Sequence, residues 1–568
     1  MRPEEVLAPF GKVVPHRDDE HKIEMVLRGD NEHEVWSFLK LINRRYGGQG
    51  KLTEAMVATM LLYYINTTRL GKRMLETCIR QCGSIARLTK CLKYEGRVCK
   101  QAQHHGRSDL NHIFELNVLV NRVQESVDWE AERRSRTEDA EVCPVDYDTV
   151  LRHAKHIFGQ GLVAGKVPVH MGWAQYWKKR WATMPVGSYI SQYKPDLAFA
   201  KSLDLGTARN KTTVLSAMGD VEFEHYIDRK PEMYASTSTK YEWGKVRALY
   251  GCDITNFLLS DFSMGDADDL LPSYFPVGRE ATEANVLHRI IGMKGIPFCF
   301  DYDNFNSQHS ISSMQAVMTA WQSVYSQYLS KEQHRAADWV RQSLANMQIS
   351  DNVMGGTYAA TATLLSGWRL TSFMNSVLNR VYLLEAGLAA NANYAIHNGD
   401  DVYATVATIA DGVEILRRAE SVGVKAQATK MNIGTIAEFL RIDNLAVDPS
   451  GRQYLTRACA TATHARVETE VADDITSSIS AACERLHTIA ARGGDREILS
   501  QISERMYKNT CRAFNTEEHI AKWYLRLHPL QGGMNSRAPI SAVRLEKTVN
   551  LTEGTEETER IASQLAPG

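Results

Sequence analysis

The sequence predicts an α+β chain, rich in helix, whose sheet carries an acidic hairpin. Two observations predict it. Apolar residues recur at helical spacing over long stretches, as in residues 53–75 with Met56, Met60, Leu61 and Ile65. Two short apolar runs, Phe298-Cys299-Phe300 and Tyr394-Ala395-Ile396, each lead into aspartates. Helical segments at 313–349 and 368–389 separate those runs.

The 568 residues suggest three or four domains, at roughly 150 residues each. Hydrophobic residues at 44% and charged residues at 23% exclude a disordered tail, a collagen and a small disulfide scaffold. Basic and acidic residues number 66 and 67, so any grip on nucleic acid rests on a local basic patch. Ten cysteines without a C-x-x-C pair suit reduced thiols. No run approaches the ~18 apolar residues of a membrane span. The opening MRPEEVLAPFGKVV lacks the apolar core of a signal peptide. The expectation is a soluble intracellular protein with no membrane partner.

Along the chain, the first 145 residues read as helical. Their charged stretch at 129–141 reads as an exposed linker or surface helix. Residues 146–297 read as mixed, with short strand-like pieces and scattered basic residues. The run from 296 to 442 alternates strand and helix. From 452 to 527 the pattern is helical again, and then polar. Trp173, Tyr176, Trp177, Lys178, Lys179, Arg180 and Trp181 suit a packed helix with a charged edge before they suit a base-stacking surface. Cys78, Cys82, Cys91 and Cys99 with His104 and His105 lack paired zinc-knuckle spacing and read as buried thiols, so no structural metal is expected. Gly265-Asp266-Ala267-Asp268-Asp269 reads as a solvated loop or helix cap. The chain has no phosphate-binding G-x-x-x-x-G-K-[ST] loop and no G-x-S-x-G nucleophile elbow.

Two acidic stretches carry the chemistry. In His397-Asn398-Gly399-Asp400-Asp401-Val402-Tyr403, Asn398-Gly399 is a hairpin signal, since both residues tolerate positive φ. Two carboxylates held this close repel, and hard Mg²⁺ or Mn²⁺ is their natural counterion. In Phe300-Asp301-Tyr302-Asp303-Asn304-Phe305-Asn306, an apolar strand delivers an aspartate at its end. Two such sites give the geometry of two-metal phosphoryl or nucleotidyl transfer. Taken singly, each also suits a surface turn.

Between them lies Ser366-Gly367-Trp368-Arg369-Leu370-Thr371-Ser372-Phe373-Met374-Asn375, the pattern S-G-x-x-x-T-x-x-x-N. The ordered set Asp301, Ser366, Asp400 is far more specific than any member alone. With DYDNFNSQHS, SGWRLTSFMNSVLN and NGDD, the chain resembles viral RNA-directed RNA polymerases, most of all those of totiviruses and related double-stranded RNA viruses. The resemblance is strong over 240–441.

The resemblance implies a right hand of fingers, palm and thumb with an antiparallel palm sheet. It implies a helical extension over 1–145, fingers over 146–295, palm over 296–445 with a fingers insertion near 311–350, and thumb and tail over 446–568. Asp301 and Asp400 would bind Mg²⁺ or Mn²⁺, with Asp401 assisting. Asn306 stands where many positive-strand polymerases have aspartate; with Asn375 it would read the ribose 2′-hydroxyl, in a bond pattern left open because an amide can donate or accept. Ser366, Gly367 and Thr371 would shape a loop beside the template, with glycine permitting close backbone approach.

Lys240-Tyr241-Glu242-Trp243-Gly244-Lys245-Val246-Arg247 resembles the family's basic fingers motif. Lys240, Lys245 and Arg247 would meet the triphosphate, the last two from one face of a strand. Lys430, or Lys425 nearby, would be the general acid for pyrophosphate. The implied partners are RNA template and product, ribonucleoside triphosphates and a capsid protein, inside a viral particle in the host cytoplasm. Two rival readings are a reverse transcriptase and a non-enzymatic RNA- or capsid-binding protein. The residues before Asp400 are not the aromatic-x-Asp-Asp turn of the first. All the expected acidic ligands are present, against the second.

Overall fold

The computed structural model describes residues 32–545 apart from 50–51, 102–107, 123–125, 139, 204–208, 244, 428–429, 445–453 and 464–474. His104 and His105 lie outside the described residues. The chain forms two compact units. One takes its described residues from 32–122, 241–246 and 441–545, the other from 126–240 and 247–440.

The first unit is mainly helical in its described residues. The single helix expected over 53–75 is two, Glu54–Asn66 and Arg69–Gln81. Thr67 and Thr68 sit in extended backbone between them, and the Thr68 hydroxyl caps the second helix by accepting Gly71 N–H at 3.2 Å. A threonine hydroxyl that competes for a helix amide favours the cap over the helix interior. Glu54–Asn66 is buried on every side from Ala55 onward, as a helix apolar all round must be. It meets the helix Leu455–Thr463 through a 2.6 Å hydroxyl pair, Thr59 with Thr463. Helices Ile475–Ala491, Arg496–Ala513 and Glu518–Arg526 bear out the helical reading of the C-terminal region.

The second unit holds one four-stranded sheet whole, most of another, and the largest core. Strands β1 (Met233–Glu242), β2 (Lys245–Cys252), β4 (Met347–Ser350) and β5 (Thr357–Ala360) form one, in the order β2-β1-β4-β5. β1 and β4 run parallel, with Met233 opposite Met347. Strands β3 (Ile296–Phe300), β6 (Ala392–Asn398), β7 (Asp401–Val406) and β8 (Asn432–Ile433) form the other, antiparallel in the order β6-β7-β3-β8. β3 and β7 are buried almost throughout, as central strands covered on both faces are.

Helices flank these sheets: α1 (Tyr147–Val163), α2 (Ile254–Met264), α3 (Ile311–Tyr325), α4 (Lys331–Ser343), α5 (Thr371–Glu385) and α6 (Ile409–Ser421). The stretch expected to be helical over 313–349 therefore breaks at Ser330, which starts α4 with a capping box to Gln333. It ends in β4, where Ile349 pairs opposite Ala235 of β1 and Tyr358 of β5. Residues 146–297 are more helical than expected, with β1 and β2 as their principal strands. The stretch at 129–141 holds a helix, Trp129–Arg134, rather than a free linker, and it is anchored: Trp129 is buried, and the buried Arg136 guanidinium stacks 4.0 Å from the Tyr250 ring.

The tryptophan cluster is core, as the packing reading holds. Trp173, Tyr176 and Trp177 are buried, and the buried Arg180 donates to the carbonyls of Leu215, Trp177 and Met218. In the 265–269 acidic stretch Gly265 is the C-cap of α2, as the cap reading holds, but the stretch is half-buried rather than a solvated loop, with Asp266 accepting Val169 N–H at 2.8 Å. All ten cysteines are free thiols, and Cys78, Cys82 and Cys99 are buried. Among the described residues no helix is long and apolar enough to cross a membrane.

Candidate active site

The antiparallel sheet brings the two acidic stretches together. Phe300, the last residue of β3, pairs with Val402 of β7, so Asp301 leaves the sheet at the end where β6 and β7 turn. Asn398 pairs with Asp401, which leaves Gly399 and Asp400 as a two-residue hairpin loop. The expected turn centred on Asn398-Gly399 is thus displaced by one residue. Gly399 alone takes a positive φ, +59°, as a turn with glycine at its first central position requires. Asn398 instead donates from Nδ2 to the Pro276 carbonyl at 2.6 Å.

Asp401 is the perturbed carboxylate of the group. Burial pushes it up to about 7, and Glu438, Asp400 and Asp301 add like charge. A 2.7 Å bond from Leu440 N–H to Asp401 Oδ2 opposes that shift. Leu440 makes this bond from left-handed backbone, φ +50°, which an ordinary side chain adopts at a cost of about 1 kcal/mol.

Helix α5 braces the hairpin from behind. Gly399 N–H donates to Ser376 Oγ at 2.8 Å, and Asn379 Nδ2 donates to the Gly399 carbonyl at 2.9 Å. Asn379 Oδ1 accepts from Tyr302 at 3.0 Å and contacts His397 Nδ1 at 3.0 Å. One buried amide therefore ties together the residue after Asp301, the strand before the turn and the turn itself. Sequence reading missed Ser376 and Asn379. The signal was there: Asn379 lies four residues beyond Asn375, on the same helix face.

Beyond β3 the chain runs antiparallel to 425–427. Asp303 N–H donates to Lys425 O at 3.0 Å, Gln427 N–H to Asp301 O at 2.8 Å, and Tyr302 bridges Ala426. This register carries Lys430 back to Asp301, with Nζ 2.9 Å from Oδ1. Lys425 goes elsewhere: its ammonium pairs with Glu141. Of the two candidate general acids, Lys430 is the one beside the carboxylates.

The Ser366–Gly367 loop packs on β2. Tyr250 N–H donates to Ser366 Oγ at 3.3 Å, and Gly367 bridges Gly251. A Cβ on Gly367 would lie 2.2 Å from Tyr250 O, so the close approach that this glycine serves is to β2. Thr371 holds the loop shut by donating to the carbonyls of Leu365 and Trp368 at 2.9 and 2.8 Å. Arg369 pairs with the buried Asp261 at 2.7 Å. Asn375, on α5, donates from Nδ2 to Asn306 Oδ1 at 2.9 Å, so the two expected sugar-reading amides do meet.

Lys240 is exposed near the end of β1 and Arg247 is exposed on β2. Lys245 opens β2 two residues before Arg247, and its side chain lies outside the described residues.

No three His, Cys, Asp or Glu side chains converge into a ready-made metal cage among the described residues. The donor set nonetheless fits a hard divalent cation: Asp301, Asp400 and Asp401 offer carboxylate oxygens alone, and their mutual repulsion is what a cation relieves.

The sequence profile of viral RNA-directed RNA polymerases matches residues 40–467, most of the chain. This chain belongs to that polymerase family. The probable RNA-directed RNA polymerase of Saccharomyces cerevisiae virus L-BC is 42% identical over 457 residues, covering 80% of this chain and 30% of that protein. The corresponding protein of Saccharomyces cerevisiae virus L-A is 34% identical over 495 residues, covering 85% and 32%. The chain thus spans about a third of the length of these relatives. A solved structure of the insertion-loop deletion mutant of a human picobirnavirus RNA-dependent RNA polymerase aligns with 14% identity and a TM-score of 0.42, over 71% of this chain and 84% of that one. The residues placed above all lie within the polymerase family's matched span.

Proposed function

We propose that the chain catalyses RNA-templated nucleotidyl transfer by a two-metal mechanism, in transcription and replication of a double-stranded RNA virus genome. The observation that carries this is the β3–β7 register, which sets Asp301 beside the Asp400-Asp401 turn. Asp301 and Asp400 would hold Mg²⁺ or Mn²⁺, with Asp401 behind them on the Leu440 amide. When bound, such ions would supply the positive charge that activates the 3′-oxygen of the growing RNA and neutralises the departing pyrophosphate.

The chain's own groups do the rest. Lys430 carries an ammonium proton at Asp301 and would pass it to the leaving pyrophosphate. Lys240, Lys245 and Arg247 would hold the triphosphate. Asn306 and Asn375 would contact the ribose. Ser366, Gly367 and Thr371 would fix the loop beside the template strand. In this reading residues 1–145 form the extension, 146–295 the fingers, 296–445 the palm with an insertion near 311–350, and 446–568 the thumb and tail. The partners are RNA, ribonucleoside triphosphates and a capsid protein, in the interior of a viral particle in the host cytoplasm.

The test is incorporation of labelled nucleotides on single-stranded RNA with Mg²⁺ or Mn²⁺, by the wild type and by Asp400→Ala. Incorporation by the wild type that the variant loses is the expected result. Equal activity in both would sink the metal-site assignment.

A further inference from the structure

Behind the two amides lies a buried hydrogen-bond chain that no catalytic step uses. Tyr382 lies 3.2 Å from His309 Nδ1, and His309 Nε2 lies 2.8 Å from Asn375 Oδ1. Asn375 Nδ2 then donates to Asn306 Oδ1.

Each link sets the next. The Tyr382 phenol is fully buried, and burial makes it hold its proton, so it can donate to His309 Nδ1. His309 is fully buried against the Phe305 ring, and burial pulls its pKa down to about 4, so the imidazole is neutral and has one N–H. With Nδ1 accepting, that N–H is on Nε2 and points at Asn375 Oδ1. The Asn375 amide then presents Nδ2 to Asn306, whose oxygen accepts. Asn306 Nδ2 is what remains. The residue is half-exposed, and among the described residues this group meets no acceptor.

We infer that His309 is a positioning residue that fixes the polarity of sugar recognition, so that Asn306 offers the nucleotide a hydrogen-bond donor and reads the ribose 2′-oxygen as an acceptor. This rests on the polymerase reading and adds what that reading leaves open. Aspartate at position 306 would instead offer an acceptor and require the 2′-hydroxyl to donate.

The test compares ATP, 2′-fluoro-ATP and 2′-deoxy-ATP on an oligo(A)-primed poly(U) template. Fluorine accepts weakly and cannot donate, whereas the 2′-deoxy sugar does neither. The expected result for the wild type is roughly a tenfold loss of kcat/KM for 2′-deoxy-ATP and a clearly smaller loss for 2′-fluoro-ATP. Asn306→Asp, a near-isosteric change at a half-exposed side chain, should drop 2′-fluoro-ATP to the 2′-deoxy level or below. His309→Leu should erase ribose discrimination, and His309→Gln, which can donate to Asn375 Oδ1, should restore part of it. ATP incorporation with equal losses for both analogues, or an unchanged pattern in Asn306→Asp, would overturn this inference alone. No ATP incorporation by the wild type would overturn the polymerase reading and this inference with it.

Discussion

Asn379 Nδ2 donates to the Gly399 carbonyl at 2.9 Å, so helix α5 holds the tip of the acidic hairpin through this buried side chain as well as through Ser376. The same amide accepts from Tyr302, the residue after Asp301. Both metal-binding strands of the proposed site are therefore referenced to a single point on a helix.

Replacing that amide should separate position from fold. Asn379→Leu leaves His397 Nδ1 and the Gly399 carbonyl without this partner, and leaves the Tyr302 hydroxyl only the backbone carbonyl of residue 379 at 3.2 Å. Each buried unsatisfied group costs about 1–3 kcal/mol, so a loss of roughly 3 kcal/mol of stability is expected. Asn379→Asp keeps the acceptor but loses the donor to Gly399. It should cost less stability yet still slow incorporation, because the turn carrying Asp400 is then held to α5 by Ser376 alone. Chemical denaturation and single-nucleotide incorporation, run on both variants, read the two effects. Full activity in Asn379→Asp would show that the brace is structural only.

The two lysines of the 425–430 loop should part company. Lys430 sits on Asp301 with both groups roughly half-exposed, so the pair itself contributes at most about 1 kcal/mol to stability. Lys430→Ala should leave the unfolding midpoint nearly unchanged and lower the incorporation rate by roughly 10²- to 10⁴-fold, the range of a lost general acid. Lys425→Ala removes only the pairing with Glu141 and should change the rate by less than about threefold. Pre-steady-state incorporation on each variant decides the assignment, and a larger effect at Lys425 reverses it.

Most of the sheet and its acidic ends were legible in the sequence because they depend on local signals. Phe298-Cys299-Phe300 and Tyr394-Ala395-Ile396 are short apolar runs bounded by aspartates and glycine, and both are strands. What failed was tertiary. Ile349 lies in a helical pattern, yet β1 and β5 recruit it into a strand. The turn slid by one residue because Asn398 found the Pro276 carbonyl, a partner 122 residues away in sequence. Gly367 stands against the backbone of β2, a contact that no local pattern announces. The pairing of Asn306 with Asn375 was legible as a shared role, but the buried His309 behind them carries no local signature.

Two glycines in the site should fail for different reasons. Gly399 has open space around its missing Cβ, so Gly399→Ala meets only the strain of φ +59°, about 1–2 kcal/mol. Gly367→Ala places a methyl 2.2 Å from a β2 carbonyl that has no side-chain freedom to move away. It should cost more, about 3 kcal/mol or above, and shift the Ser366 loop. Unfolding midpoints of the two variants, measured side by side, check the order. Equal losses would mean that the loop relaxes away from β2 cheaply.

The buried histidines predict a pH dependence whose sign can be worked out. In the folded chain His309 has its pKa pulled down to about 4, against about 6.5 when exposed. Between those values the unfolded chain binds a proton that the folded chain does not, so stability rises with pH across that window. The contribution is complete above pH 6.5 and lost as pH falls towards 4, a swing of about 3 kcal/mol. His397, also shifted down by burial and by Arg380, acts in the same direction. Asp253 and Asp401 oppose it, since burial raises them to about 6 and about 7 and the folded chain then holds their protons longer. The net slope is a competition, so the informative quantity is a difference. Subtracting the denaturation profile of His309→Gln from that of the wild type should leave a component that favours the wild type progressively more from pH 4 to pH 6.5 and is flat above. A flat difference across the whole range would mean that His309 is protonated as readily in the fold as in water, and that the neutral imidazole behind Asn375 does not exist.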